Sequence, residues 1–427
     1  MIKSFSLCLL ALATTAVPAL AQQTMQPSPT PSRVVVTNMM PPVQPVRTPS
    51  PTPLPKPEHT VVVGTPAFPS QASNLNFKGL SFTTLKQKIA EAKRQMMTRP
   101  LTTVSTAPVT MPDGSTAVPF IAPNSLVRIA YYDWHSRKVE YITIAKDAFL
   151  TKDMPLVATS TNGKLVTTRT IRANGVNTPI EILDNGQQLL PLIIQYPVEK
   201  NGRFIETAYY MSTHPGIVTP EVVNAGRFYV RNTIDIAREQ LKAKGYFIQP
   251  KVADIAERLA TVEHVDHMRF RTEFQPNIYN DIFTLYALNE GQTYRYSVSS
   301  AGAGGMVQMI PSTYAMIRRL YPNAALMPDF VEGMRNHVNA SQAMLLYMQM
   351  TWNDLAASPT VSNALQTGIA TPEQLMSAGY NSNPAKIPRY IDRGGLGWTS
   401  LIPRETQIYL QIFSSLERNV TLTPRKQ

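Results

Sequence analysis

A single acid, Glu290, stands nine residues ahead of Ser299, and Gln308 follows nine residues after it. Between them runs Ala301-Gly302-Ala303-Gly304-Gly305, a turn of residues without bulk, and beyond Gln308 comes a Pro311-Ser312-Thr313 step. Cleaving a glycosidic bond needs a proton for the leaving oxygen and something to stabilise the cationic sugar, and most glycosidases give these tasks to two carboxylates. Here no acid follows Glu290 until Asp329, so the stretch offers one carboxyl. One suffices if the N-acetyl group of the substrate shields the anomeric carbon. The carboxyl then serves first as acid and afterwards as base, which calls for an apolar pocket around it. The preceding Ile282-Phe283-Thr284-Leu285-Tyr286-Ala287-Leu288 is apolar and helical, fit to deliver Glu290 to the floor of a groove. Small residues let the backbone approach a sugar ring, and the Ser299 hydroxyl can hold an N-acetyl oxygen. A glycine run alone would be an ordinary turn between helices; the combined spacing is more specific.

Two further blocks carry polar and aromatic side chains, Gly379-Tyr380-Asn381-Ser382-Asn383-Pro384 and Pro403-Arg404-Glu405-Thr406 with Tyr409. Tyr380 can face a pyranose ring or be plain core, Asn381 can bond sugar or backbone, and Glu405 can line a groove or simply favour a helix start. Together the three blocks resemble the catalytic domain of soluble lytic transglycosylases and goose-type lysozymes, enzymes that cut the glycan strands of bacterial peptidoglycan. The resemblance covers about residues 275–420 and implies an all-α, lysozyme-like domain with Glu290 as the catalytic acid/base. It implies substrate-binding roles for Ser299, Gln308, Tyr380, Asn381 and Glu405, with Tyr380 near the acid, and it implies no cofactor. The expected reaction is cleavage between N-acetylmuramic acid and N-acetylglucosamine to leave a 1,6-anhydro end; water in place of the C6 hydroxyl would make a muramidase. A wall-binding or scaffolding protein with a vestigial cleft is the reading from another class.

The chain departs from the family pattern at several places. After the acid the family has Ser and an aromatic-Asn-Pro step, where Gly291, Thr293, Tyr294 and Arg295 stand here. Asn383 replaces a glycine, and asparagine tolerates the left-handed conformation such a turn uses. Residues 357–371 look like an insertion. Glu263-His264 with Asp266-His267 imitates a ligand cluster, His264 and His267 reading as one helix face, but no third block has metal spacing and no metal is expected.

The elements that must position these residues fall into two halves. Thr219-Pro220-Glu221 starts a helix that Gly245 ends, and helices are expected over 250–267, 276–290, 312–320, 331–355, 372–378 and 405–417. Residues 76–215 read as a small, mostly antiparallel β domain of unknown role. Val127–Tyr132, Val139–Ile144 and Leu165–Ile171 are its strands, and Asn162-Gly163, Asn185-Gly186 and Asn201-Gly202 its hairpin turns. A short basic helix over 83–98 precedes it, with Leu85, Ile89, Ala92 and Met96 on one stripe. The fold class is thus multidomain α+β, with residues 216–427 forming the helical domain.

Residues 1–21 look like a secretory signal, with Lys3, an apolar run and Ala19-Leu20-Ala21; the run is too short to anchor a chain in a bilayer. The expected location is the periplasm or cell envelope, or outside the cell. The only cysteine, Cys8, lies in that run, so the exported chain would fold without a disulfide. Residues 22–75 are Pro/Ser/Thr-rich and read as an extended spacer or an unfolded tail. The net charge of +12 is spread thinly, with 16 basic and 10 acidic residues over 75–220. Such a surface suits anionic wall polymers, and nothing in the chain resembles a nucleic-acid module. The expected partners are peptidoglycan strands and an envelope protein meeting the β domain.

Overall fold

The structure, a computed structural model, describes residues 80–426 apart from 102, 105–108, 111–112, 118–119, 122–125, 173–178 and 212. The signal-like and proline-rich stretches lie outside the described residues. Among the described residues no helix is long and apolar enough to cross a membrane.

The architecture is mixed α+β. Helix α1 (Phe82–Thr98) is capped by the Ser81 hydroxyl and buries Leu85, Ile89, Ala92 and Met96, the expected stripe. Two short antiparallel pairs follow, β1 (Thr103–Val104) with β4 (Phe120–Ile121) and β2 (Val109–Thr110) with β3 (Thr116–Ala117). The main sheet comprises β5 (Leu126–Asp133), β6 (Lys138–Ala145), β7 (Leu156–Thr159), β8 (Leu165–Thr170), β9 (Ile180–Asp184), β10 (Gln187–Lys200) and β11 (Arg203–Tyr210), with helix α2 (Lys146–Leu150) after β6. Its order is β6-β5-β10-β9-β8-β7, and β11 also pairs with β10. The long β10 serves three neighbours because its register to β5 slips between Pro191 and Ile193, where proline withdraws a ladder donor and the strand turns. Along β5, Val127, Ile129 and Tyr131 face a core with Phe149 and Ile182, while Ala130 and Tyr132 face α1. Burial on both faces explains why β5 is mostly apolar rather than alternating, with Arg128 and Asp133 its charged exceptions. Asn185-Gly186 and Asn201-Gly202 both take positive φ at each residue, whereas at the third turn only Gly163 does.

The rest of the chain is helical. The elements are α3 (Pro220–Ala243), α4 (Pro250–Val262), α5 (His267–Thr272), α6 (Gln275–Asn289), α7 (Pro311–Leu320), α8 (Phe330–Arg335), α9 (His337–Ala356), α10 (Pro359–Gln366), α11 (Pro372–Asn381), α12 (Ile387–Gly394) and α13 (Arg404–Asn419). Several boundaries differ from expectation, two of them through a local polar cap. The helix from Pro250 stops at Val262, and the Asp266 side chain caps a new one by accepting the Arg269 amide, so His264 and His267 do not share a helix. Residues 331–355 are two helices, because Asn336 caps α9 through the Asn339 amide. Helix α11 runs on through Tyr380 and Asn381 rather than ending before them, and α10 occupies the apparent insertion. Asn383 is not left-handed: at φ −77° and ψ 109° it has the extended backbone that the following Pro384 imposes, and its side chain caps the next turn.

An apolar cluster joins the two halves, bringing α1 and sheet residues Leu190 and Leu192 together with Val222 of α3 and Ala287 of α6. At the centre of the helical half, α3 and α6 touch backbone to backbone. A Cβ added at Gly226 would lie 1.8 Å from the Phe283 carbonyl oxygen. Gly226→Ala is therefore expected to lower the unfolding free energy by about 3 kcal/mol, the upper end of overpacking costs, measured by urea denaturation.

Candidate active site

Glu290 is the residue at which α6 ends. Its amide still donates to the Tyr286 carbonyl, but its backbone turns to φ 44° and ψ −124°. That region is open to glycine and strained for a residue with a Cβ. A tight turn over Glu290–Gln292 follows, and Thr293 closes it by donating its amide to the Glu290 carbonyl at 3.0 Å and its hydroxyl to the Leu285 carbonyl at 2.9 Å. Of the eight non-glycine residues with positive φ among the described residues, three (Glu290, Tyr294 and Gln308) lie in this one loop, which marks it as a place where strain is held. The expected apolar pocket around the acid is absent. The Glu290 side chain is 51% exposed and its carboxylate is paired with the Lys86 ammonium from α1, itself 44% exposed. Residues 282–287 do bury their apolar groups; the chain reverses just beyond them and leaves the carboxyl at the surface.

Beneath the turn lies a chain of buried polar groups that the sequence did not single out. Burial holds the imidazole of His337 down at about 4, against a bond to the Thr293 carbonyl, so the ring is neutral. Its Nε2 lies 2.7 Å from that carbonyl, which can only accept, so Nε2 carries the proton and Nδ1 accepts from the Tyr229 hydroxyl at 2.8 Å. Burial first, and the charge of Glu290 in addition, push the Tyr229 hydroxyl up to about 12. Tyr229 of α3 thus stands beside the Glu290 turn with its proton committed to His337. Nothing in the sequence linked Tyr229 to His337, because 108 residues separate them.

The loop itself is self-bonded. Ser299 accepts the Ala303 amide on its hydroxyl at 3.0 Å and the Gly302 amide on its carbonyl at 2.9 Å. Gln308 donates its side-chain amide to the carbonyls of Ser297 at 3.1 Å and Gly305 at 2.9 Å. Gly305 is required where it is, since a Cβ there would lie 2.4 Å from the Met334 carbonyl. Tyr294 stacks on His264 at 3.4 Å between ring centroids, and His264 donates Nε2–H to the Met306 carbonyl at 2.9 Å. The structure does bring the later blocks to this loop. The Tyr380 hydroxyl, pushed well above its usual range by burial, donates to the Val307 carbonyl at 2.6 Å, next to Gln308. Asn381 accepts the Thr406 hydroxyl at 2.8 Å, which ties α11 to the first turn of α13 where Glu405 stands. Gln308, Tyr380, Asn381 and Glu405 therefore follow one seam, to which Glu290 is joined through the strained loop. The carboxylate whose charge bears on the Tyr380 hydroxyl is Glu263, buried and accepting from the Tyr409 hydroxyl at 2.6 Å.

Glu263 and His264 thus have structural employment, and among the described residues no group of three or more His, Cys, Asp or Glu side chains is placed to hold a metal ion. A cavity of about 540 Å3 opens at α6, α11 and α13, lined by Gln275, Gln374, Gln407 and Arg418 among others, and none of the six motif residues lines it. Comparison of the chain with protein-family models, curated proteins and solved structures finds no match.

Two outcomes follow from this geometry. Glu290→Gly should raise the unfolding free energy by about 1–2 kcal/mol, since relief of strain worth about 1–3 outweighs the freedom glycine adds to the unfolded chain; Glu290→Gln, keeping its Cβ, should not. Urea denaturation of both variants checks this. His337 and His214 have folded values of about 4, below the ordinary 6.5, both through burial. Protonation therefore favours the unfolded chain. Their stabilisation is complete above pH 6.5 and is lost as the pH falls to about 4, by up to about 3 kcal/mol each. Unfolding free energies measured across that interval would read it, and a flat profile would refute it.

Proposed function

We propose that the chain is an exported peptidoglycan lytic transglycosylase whose helical part is lysozyme-like, with Glu290 as its single acid/base. The observation that carries this reading is the conformation of Glu290. A charged side chain in a glycine-type backbone region, at the head of a loop tied to Tyr380 through Val307, is strain kept at one acid. Its exposure supports the same reading, because a polymeric glycan has to reach it from solvent. In the proposed reaction Glu290 protonates the oxygen between N-acetylmuramic acid and N-acetylglucosamine while the substrate's own acetamido oxygen shields the anomeric carbon. The carboxylate then takes the proton of the muramyl C6 hydroxyl, whose oxygen closes onto that carbon to give the 1,6-anhydro end. No cofactor enters, and the α1 and β-sheet part would meet the wall or an envelope partner.

The ion pair with Lys86 and the missing apolar pocket favour a second reading, a wall-binding protein with little or no lytic activity. One experiment separates the readings. Purified sacculi are incubated with the exported form of the chain and with its Glu290→Gln variant, and the soluble products are analysed by mass spectrometry. Anhydro-muramyl ends that fall at least about 100-fold in the variant support transglycosylation. Reducing ends with the same dependence make the protein a muramidase, and sacculus binding without fragments from either form supports the second reading.

A further inference from the structure

Two lysines of α1 stand in line beside the candidate acid. Lys86 reaches the Glu290 carboxylate, and its ammonium also lies 5.5 Å from the centre of the Phe82 ring. Lys93, seven residues further on, holds its ammonium 5.6 Å from the centre of the Tyr209 ring on β11. Seven residues of α-helix return to within about 20° of the same face and advance about 10 Å, the length scale of one disaccharide. Helix α1 cannot drift relative to the acid. Its stripe is buried against the sheet, α3 and α6, and the Phe82 amide donates to the Glu221 carboxylate at 3.1 Å. Three neighbouring cations are otherwise engaged. Lys88, on the far flank of α1, pairs with Glu91 at 2.9 Å. Arg295 and Arg335 share the Glu206 carboxylate at 3.1 and 3.0 Å.

Resting on the reading of Glu290 as a glycan-cleaving acid, we infer that Lys86 and Lys93, each beside an aromatic ring, form a cationic rail for a polymer that carries one anionic group per disaccharide. In a muramyl glycan that group is the carboxylate borne by each muramic acid, either directly or at its peptide. An aromatic ring beside each ammonium offers a face for the pyranose next to that carboxylate. Lys86 is paired with Glu290. A strand entering along α1 places one carboxylate at Lys93 and the next at Lys86, which frees the Glu290 carboxyl to turn to the glycosidic oxygen. The rail thus sets specificity for charged over neutral glycans through a helix outside the stretch that resembles the transglycosylases.

The test measures binding of the full chain to two soluble glycan preparations, one with free muramyl carboxylates and one with the same groups converted to neutral amides. Lys93→Gln should weaken binding to the charged glycan about three- to fivefold, the scale of one exposed ion pair, and leave binding to the neutral glycan unchanged. Lys93→Arg should restore affinity, and Lys88→Gln should match the parent chain. The difference between glycans should shrink as salt rises. Equal affinity of Lys93→Gln and the parent for charged glycan overturns the rail, as does an equal loss on both glycans or a loss shared by Lys88→Gln. The same binding series in a Glu290→Gln background keeps the questions apart. If that variant still cleaves, the assignment of the acid fails; the binding differences judge the rail in either case.

Discussion

The apolar stripe of α1 sets the register of everything that converges on Glu290. Leu85, Ile89, Ala92 and Met96 fill the space between the sheet and the helices, meeting Leu190 and Leu192 on one side and Val222 and Ala287 on the other. Fully burying a large apolar side chain is worth about 1.5–3 kcal/mol. An ion pair as exposed as Lys86–Glu290 contributes about 1 kcal/mol at most. Packing therefore carries the cation to the acid, and the ion pair follows from it. The polar ties across the same junction, Asn289 accepting the Met211 amide at 2.7 Å and Glu206 joining β11 to Arg295 and Arg335, fix the angle at which α6 arrives.

The strain at Glu290 is sustained from below by one helix. Gly226 lets α3 lie directly on α6, and Tyr229, three residues later on the same face of α3, sends its hydroxyl to His337. The His337 ring spans the start of α9 and the Thr293 carbonyl, so the turn after Glu290 is held by a neutral chain in which each donor has its acceptor. In a low-dielectric interior a satisfied chain of this kind rigidifies its surroundings, and a broken one leaves an unpaired group. A backbone conformation that costs free energy persists only where its neighbours over-determine it, and here they do.

Much of this was legible in the sequence wherever the determinant was local. The α1 stripe, the main strands, two of the hairpin turns and the proline-led helix starts follow from periodicity and turn chemistry within a few residues. The misplaced boundaries were local too, but turned on a competitor that hydrophobic periodicity does not weigh. Asn336 and Asp266 cap new helices inside apolar stretches, and Pro384 governs the backbone of Asn383. The surroundings of the candidate acid were not legible, because Lys86 meets Glu290 across 204 residues and Tyr229 meets His337 across 108. Each of those side chains, read alone, is an ordinary residue on a helix.

Two carboxylates could serve as the acid of the proposed reaction, and solvent access tells them apart. Glu263 has the aromatic company often sought around an acid, with Tyr409 donating to it and Tyr380 close by, yet it is 8% exposed. A polymer cannot present a glycosidic oxygen to it without opening the helical core. Glu290 lacks such an enclosure but stands exposed, where a strand could lie across it, on a turn whose backbone is held from beneath. For a strand of indefinite length the first requirement is approach, and the enclosing surface has to come from the substrate itself.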